Sequence, residues 1–366
     1  MLYKNCITFS EEVTYLNRSK EPLFINPMIR KERAIAIIHE FLQSGGDLPF
    51  SAEVRPQLLS ISSDPVETID VEKFVNLIQL DPGLATNVLQ LANSVYFSSA
   101  TKIVSLRRAI VQIGLEEAIN FIQVVLFRSS LPKFPEIAGG FSDKDYWSHS
   151  WACAIACKSL GHPTIGTNLL PGELYIAGLL HGIGKLVLAI HRPNEFLQCL
   201  ENSVEFQLTM AESQLDIFGT TDADIACELL KVWQLPDNVS IAIKYFQNPA
   251  EAEKEHQEFA GLLQLAYFIA NTSGVGNIND EYCYNVNETW ISQQVTSPLY
   301  DKKLRERFIK NIYIVLEKKQ TSLEAIGGEE ADGPPKELGE QIYTKKLVVN
   351  ESWLSRLCRW FKAYLG

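Results

Sequence analysis

The sequence predicts an all-α protein, a helical bundle followed by additional C-terminal helices. Three observations lead there. Apolar residues recur at three- and four-residue spacing in segment after segment from Ile29 to Asn271. No run alternates apolar and polar residues long enough to mark a strand. Gly and Pro stand where helices start and stop. With 46% apolar residues in a chain of 366, at least one sizeable core can be buried. The 21% charged content is that of a folded chain and not of a disordered one.

Taken in order, Ile29 to Phe41 carries a helical apolar face that Gly45-Gly46 stops. Leu48-Pro49 opens a segment whose buried positions are Val54, Leu58, Leu59 and Ile61. From Val71 to Leu80 the shared face is Val71, Phe74, Val75 and Ile78. Asp81-Pro82 then restarts the helix, because proline fits a first turn. The new piece, to Asn93, buries Leu84, Val88, Leu89 and Leu91. Ser105 is placed to cap a helix carrying Leu106, Ile110 and Ile113, and Gly114 ends it. Leu115 to Phe127 is apolar nearly all round, the pattern of a central, fully packed helix.

After Pro132 and Pro135, helices are expected from Tyr146 to Leu160, closed by Gly161, and from Glu173 to Ile190. Thr209-x-x-Glu212 fits a capping box for a helix ending at Phe218. Thr221 or Asp222 caps the next, which ends near Trp233. Asp237 to Phe246 and Phe259 to Asn271 complete the body. Past Gly274 the chain turns polar, until Ser297-Pro298 starts a last helix through Phe308, Ile312 and Val315. Gly327 to Gly339 is a charged Gly/Pro linker.

The net charge of -11 repels phosphate backbones at long range, so no nucleic-acid partner is expected. Seven scattered cysteines without a CxxC support neither a disulfide framework nor a zinc knuckle. Reduced thiols in the cytoplasm are the simple expectation. Met1 to Ser10 has no secretory pattern, and the most apolar stretch, Leu174 to Ile190, contains His181 and Lys185 and reads as a buried helix.

The sharpest chemical feature is Ala177-Gly-Leu-Leu-His-Gly-Ile-Gly-Lys185, where an apolar helix ends in an imidazole beside glycines and a lysine. A phosphate loop fails on spacing. Gly178 is one residue too far from Gly184-Lys185, and Leu186 stands where Ser or Thr would bind magnesium. His149, Cys153 and Cys157 share one helix face at ligand spacing, although small buried cysteines in a packed helix explain them more simply.

Leu179 to Leu186, LLHGIGKL, resembles the LLHDIGKL signature of HDOD domains, a branch of the HD phosphohydrolase superfamily. Other HDOD-like elements follow in the expected order. They are Leu48-Pro49, Asp81-Pro82-x-Leu84-Ala85, and Leu91-Ala-Asn-Ser94-x-Tyr96-Phe97. Ile103-x-Ser105-Leu106, Trp147-x-His149-Ser150, and Trp233-x-Leu235-Pro236 complete the series. The resemblance implies an HD-like helical bundle. It also implies one or two metal ions held by several His and Asp side chains, including an adjacent His-Asp pair.

Here that Asp is Gly182. Where many HDOD sequences carry a His after a glycine, Gly219 is followed by Thr220, Thr221 and Asp222, and Tyr245-Phe246 replaces a frequent His-His pair. His149, His181, Lys185 and Asp222 remain as ligand-cleft candidates, with His149 and His181 weak candidates for a metal. A catalytic metal needs several donors and an open position, so loss of phosphohydrolase activity and no resident cofactor are expected. The imidazoles are then polar groups satisfied within a helical cleft.

The expected organisation is an N-terminal tail over 1–27, an HDOD-like helical domain over 28–274, a helical extension over 275–326, a linker over 327–346 and a basic amphipathic helix over 347–366. That last helix places Trp353, Trp360 and Phe361 on one face and Arg356, Arg359 and Lys362 on another. It suits docking on the acidic body or a partner, or weak contact with a membrane surface. The expected function is signal transduction through a protein partner or small ligand. The alternative is a divergent phosphohydrolase acting on a nucleotide or phosphoester.

Overall fold

The computed structural model describes residues 25–44, 68–94, 97, 102–129, 131, 143–161, 169–206, 208–273, 275, 310–312 and 314–316. No strand occurs among them. Leu48 to Ile61, the linker and the basic C-terminal segment lie outside the described residues.

The first helix, α1 (Pro27–Gln43), begins with Pro27 in its first turn and the Asn26 side chain accepting from the Met28 N–H. Helix α2 (Val71–Gln79) is capped by Asp70, and α3 (Pro82–Ala92) by Asp81, whose carboxylate accepts from the N–H groups of Gly83 and Leu84. Helix α4 (Leu106–Ile113) ends at Gly114, where φ of 94° suits a residue without Cβ, and the chain turns by 107° into α5 (Leu115–Ser129). Ser105 does stand at the N-cap of α4, but its hydroxyl makes no capping bond.

Phe74, Ile78, Val88, Leu91, Ile110 and Ile122 centre a small core within α2–α5. Helix α5 faces two ways. Its Ala118, Phe121 and Ile122 enter the small core, whereas Val124 and Phe127 enter a larger one, as its all-round apolar pattern predicts.

The larger core is built from α6 (Asp143–Leu160), α7 (Pro171–Leu180), α8 (Ile183–His191), α9 (Pro193–Phe206), α10 (Met210–Phe218), α11 (Asp222–Val232), α12 (Asp237–Tyr245) and α13 (Lys254–Ser273). A Cβ on Gly178 would sit 2.5 Å from the Ala154 Cα, so α6 and α7 pack at backbone contact. Ile312 and Leu316, near the end of the described chain, are buried in this core.

Two features differ from the sequence expectation. The single helix expected from Glu173 to Ile190 breaks at His181-Gly182 into α7 and α8. An additional helix, α9, follows at once, with Pro193 opening it. Together Pro171–His191 is long and apolar enough to cross a membrane, yet 89% of its apolar window is buried inside the fold. Its apolar surface is therefore matched by protein.

Helix α1 joins the larger core and not the small core of α2–α5 that follows it among the described residues. Its buried Ala34, Ile37, Ile38 and Phe41 complete the larger core, against α11 and α8.

Candidate functional site

His149 lies on α6, a helix buried along most of its length, and His181 lies at the break after α7. Their rings meet edge to face with centroids 5.3 Å apart. Tyr267 of α13 packs edge-on against both, at 5.4 Å from His149 and 5.3 Å from His181. Phe246 closes the group at 5.8 Å from His181 and 5.4 Å from Tyr267. The arrangement is an aromatic box around two imidazoles.

The two imidazoles differ in their polar contacts. His181 Nδ1 is 2.7 Å from the Gly178 carbonyl oxygen. A carbonyl only accepts, so Nδ1 carries a hydrogen in this contact. Neither ring nitrogen of His149 has a hydrogen-bond partner among the described residues. Burial, then the charges of His181 and Lys185, pull the His149 pKa well below its ordinary 6.5, so the ring is neutral.

Lys185 of α8 and Asp222, the first residue of α11, form a loose buried ion pair with Nζ 3.9 Å from Oδ2. The same ammonium lies 5.8 Å from the Tyr267 ring centroid, which draws Lys185 to the edge of the aromatic box. A Cβ on Gly184 would fall 1.9 Å from the Asp222 carbonyl oxygen, so only glycine permits this approach of α8 to α11. Thr221, of the two candidate caps, caps α11. Its hydroxyl accepts from the Asp224 N–H while the Asp224 carboxylate reaches back to the Thr221 N–H. The Asp222 N–H donates to Gln214 Oε1 at 2.8 Å. All four cleft candidates, His149, His181, Lys185 and Asp222, thus meet in one buried cluster.

This donor set does not fit the metal centre that the HD-type motif implies. Gly182 offers no ligand, and a Cβ there would lie 3.2 Å from Tyr146 Cε2, so a phenol ring borders the space a carboxylate would need. Among the described residues, Glu253, Glu255 and His256 form the one group of three ligand atoms lying within 4.8 Å of one another, and both glutamates there are exposed. His149, His181 and Asp222 form no such group, nor do His149, Cys153 and Cys157. Burial pushes the Cys153 and Cys157 thiols well up, leaving them protonated and poor ligands. A preorganised centre needs several converging donors, and the pair of imidazoles falls short of that.

Sequence reasoning missed Tyr146 and Tyr267. Tyr267 sits in an apolar helical pattern that reads as plain core, and only the crossing of α13 over α6 brings it to the histidines. Trp353, Arg356, Arg359, Trp360, Phe361 and Lys362, the expected partner or membrane contacts, lie outside the described residues.

Residues 48–249 match the HDOD domain family. An uncharacterised protein of Treponema pallidum (strain Nichols) is 24% identical over 222 residues, which is 60% of this chain and 41% of that protein. The chain therefore spans about two fifths of the length of that relative.

Among solved structures, an HDOD domain protein of unknown function from Geobacter sulfurreducens superposes with a TM-score of 0.58 at 20% identity, over 89% of this chain and 98% of that one. A Marinobacter aquaeolei VT8 protein, provisionally named a signal transduction protein, gives 0.65 at 22%, over 83% and 66%. A Shewanella amazonensis SB2B protein, provisionally named a phosphohydrolase, gives 0.52 at 21%, over 78% and 96%. At these identities the three establish the shared helical fold.

Proposed function

Because the chain belongs to the HDOD domain family, which matches more than half of it, we propose that it is a non-catalytic regulator of signal transduction. It acts by binding a protein partner or a small ligand, with His149, His181, Lys185 and Asp222 forming the ligand-facing cluster. The reading rests on one observation: at position 182 a glycine faces a tyrosine ring, and among the described residues no third ligand atom joins the two imidazoles. A hydrolytic metal must be held by several donors, and among the described residues the two imidazoles do not gather them. The four described cysteines are free and buried, which suits a reducing cytoplasm.

One observation favours the second reading, a divergent phosphohydrolase. Among the described residues both nitrogens of buried His149 lack hydrogen-bond partners, as those of a ligating imidazole without its ion would. The two readings separate on the purified full chain, by elemental analysis and by hydrolysis of a phosphodiester with added manganese, iron or zinc. The regulator reading expects substoichiometric metal, unchanged in His149→Ala and His181→Ala, and no turnover. Stoichiometric metal lost in both variants, with turnover in the parent, makes the protein an enzyme.

A further inference from the structure

Helix α1 lies outside the residues that match the HDOD domain family, yet it is fastened to both helices that carry the buried ion pair. At its first turn Arg30 reaches the start of α11. The Arg30 Nη2 and Nε atoms lie 2.6 and 2.8 Å from Asp224 Oδ2, and Nη2 lies 3.5 Å from the Thr221 hydroxyl. Arg33, one turn on, covers Gly219, where a Cβ would come within 2.7 Å of the Arg33 Cδ.

At the far end of α1, Glu40 engages the C-terminus of α8. Its carboxylate accepts from Arg192 and lies 3.2 Å from His191 Nε2, and these two partners hold it below the usual carboxylate range. Phe41 packs edge-on against the His191 ring at 6.4 Å. Helices α8 and α11 touch at their starts, where Gly184 meets Asp222, and they carry Lys185 and Asp222. One helix thus grips the beginning of α11 and the end of α8.

We propose that α1 is a strap that sets the separation of α8 and α11, with Arg30 and Glu40 as positioning residues for the Lys185–Asp222 pair. Displacing α1 is then the way a signal arriving at the N-terminal region loosens the cluster. The regulatory half of this proposal rests on the binding-protein reading above, and the mechanical half does not. Arg30 does its work through the cap of α11: it closes the Thr221–Asp224 box from outside, and that box fixes where Asp222 begins the helix.

Hydrogen–deuterium exchange on the full chain tests it. Arg30→Ala and Glu40→Ala are each expected to speed amide exchange about tenfold in both 182–192 and 219–226, with 71–92 in the small core unchanged. Arg30→Lys, which keeps the charge but not the two-atom grip, is expected to fall between parent and Arg30→Ala. Faster exchange confined to the segment beside the lost contact, or spread evenly over all helices, overturns the strap. If either alanine variant does not fold, Arg30→Lys and Glu40→Gln are read on the same segments against the same outcomes. Exchange is measured without substrate or ligand. Turnover in the metal assay would therefore sink the non-catalytic reading and leave the strap standing, and slow exchange in the variants would do the reverse.

Discussion

A proton on His149 would bury a positive charge away from water, beside His181 and Lys185, where neither ring nitrogen finds a partner among the described residues. The folded-state pKa is therefore below the ordinary 6.5, and the sign of the pH effect follows. Well above about pH 6.5 the ring is neutral in folded and unfolded chains alike, and the native state carries no penalty. As pH falls below that value the unfolded chain takes up a proton that the folded one refuses. Stability is then lost at up to about 1.4 kcal/mol per pH unit until the folded pKa is reached. Urea denaturation across this range measures it, and His149→Gln is expected to flatten the slope. A parent slope that matches the variant would remove His149 as its source.

Of these site residues the sequence located His149, His181, Lys185 and Asp222 through motif order, because each motif is local. The aromatic box was not legible, since Tyr146, Phe246 and Tyr267 come from three helices and nothing in their own neighbourhoods distinguishes them from core.

Among helices, the sequence was most legible where a few adjacent residues decide the outcome. Asp81-Pro82, the Thr209–Glu212 box and Gly114 with φ of 94° all punctuate the chain where their chemistry directs. Ser105 and Thr221 look alike as caps in the sequence, and only Thr221 makes the bonds. Thr221→Ala is therefore expected to lower stability by about 1 kcal/mol, and Ser105→Ala by less than about 0.5 kcal/mol. Chemical denaturation of the two variants checks the contrast, and equal losses would contradict it.

The break between α7 and α8 shows in the sequence only as the imidazole and glycines at its centre, because apolar residues run on either side of it. A continuous apolar pattern cannot report a change of direction. Helix α9 escaped because its polar first turn reads as a loop, although Pro193 and Glu195 also suit a helix start.

For the whole molecule, the fold class was legible and the assembly was not. Periodicity gives helices, but the Arg30–Asp224 pair joins positions 194 residues apart, which no local pattern encodes. The same limit hid the division into two cores, since α5 reads as one apolar helix whether it serves one core or two. The Gly/Pro linker separates 347–366 from the helical body in sequence, so removing 347–366 is expected to leave the thermal unfolding transition in place. Calorimetry of the shortened chain decides this, and a collapsed or much lower transition would make the basic segment part of the fold.

Cys153, Cys157, Cys199 and Cys227 sit buried and unpaired on α6, α9 and α11, whereas no cysteine occurs in the span 69–126 that forms the small core. Among the described residues, cysteine sulfur is thus confined to one side of the shared helix. An alkylating reagent meets these four thiols only when the larger bundle breathes, and it is blind to any loosening of its neighbour. These four buried thiols are a clock for the larger core alone.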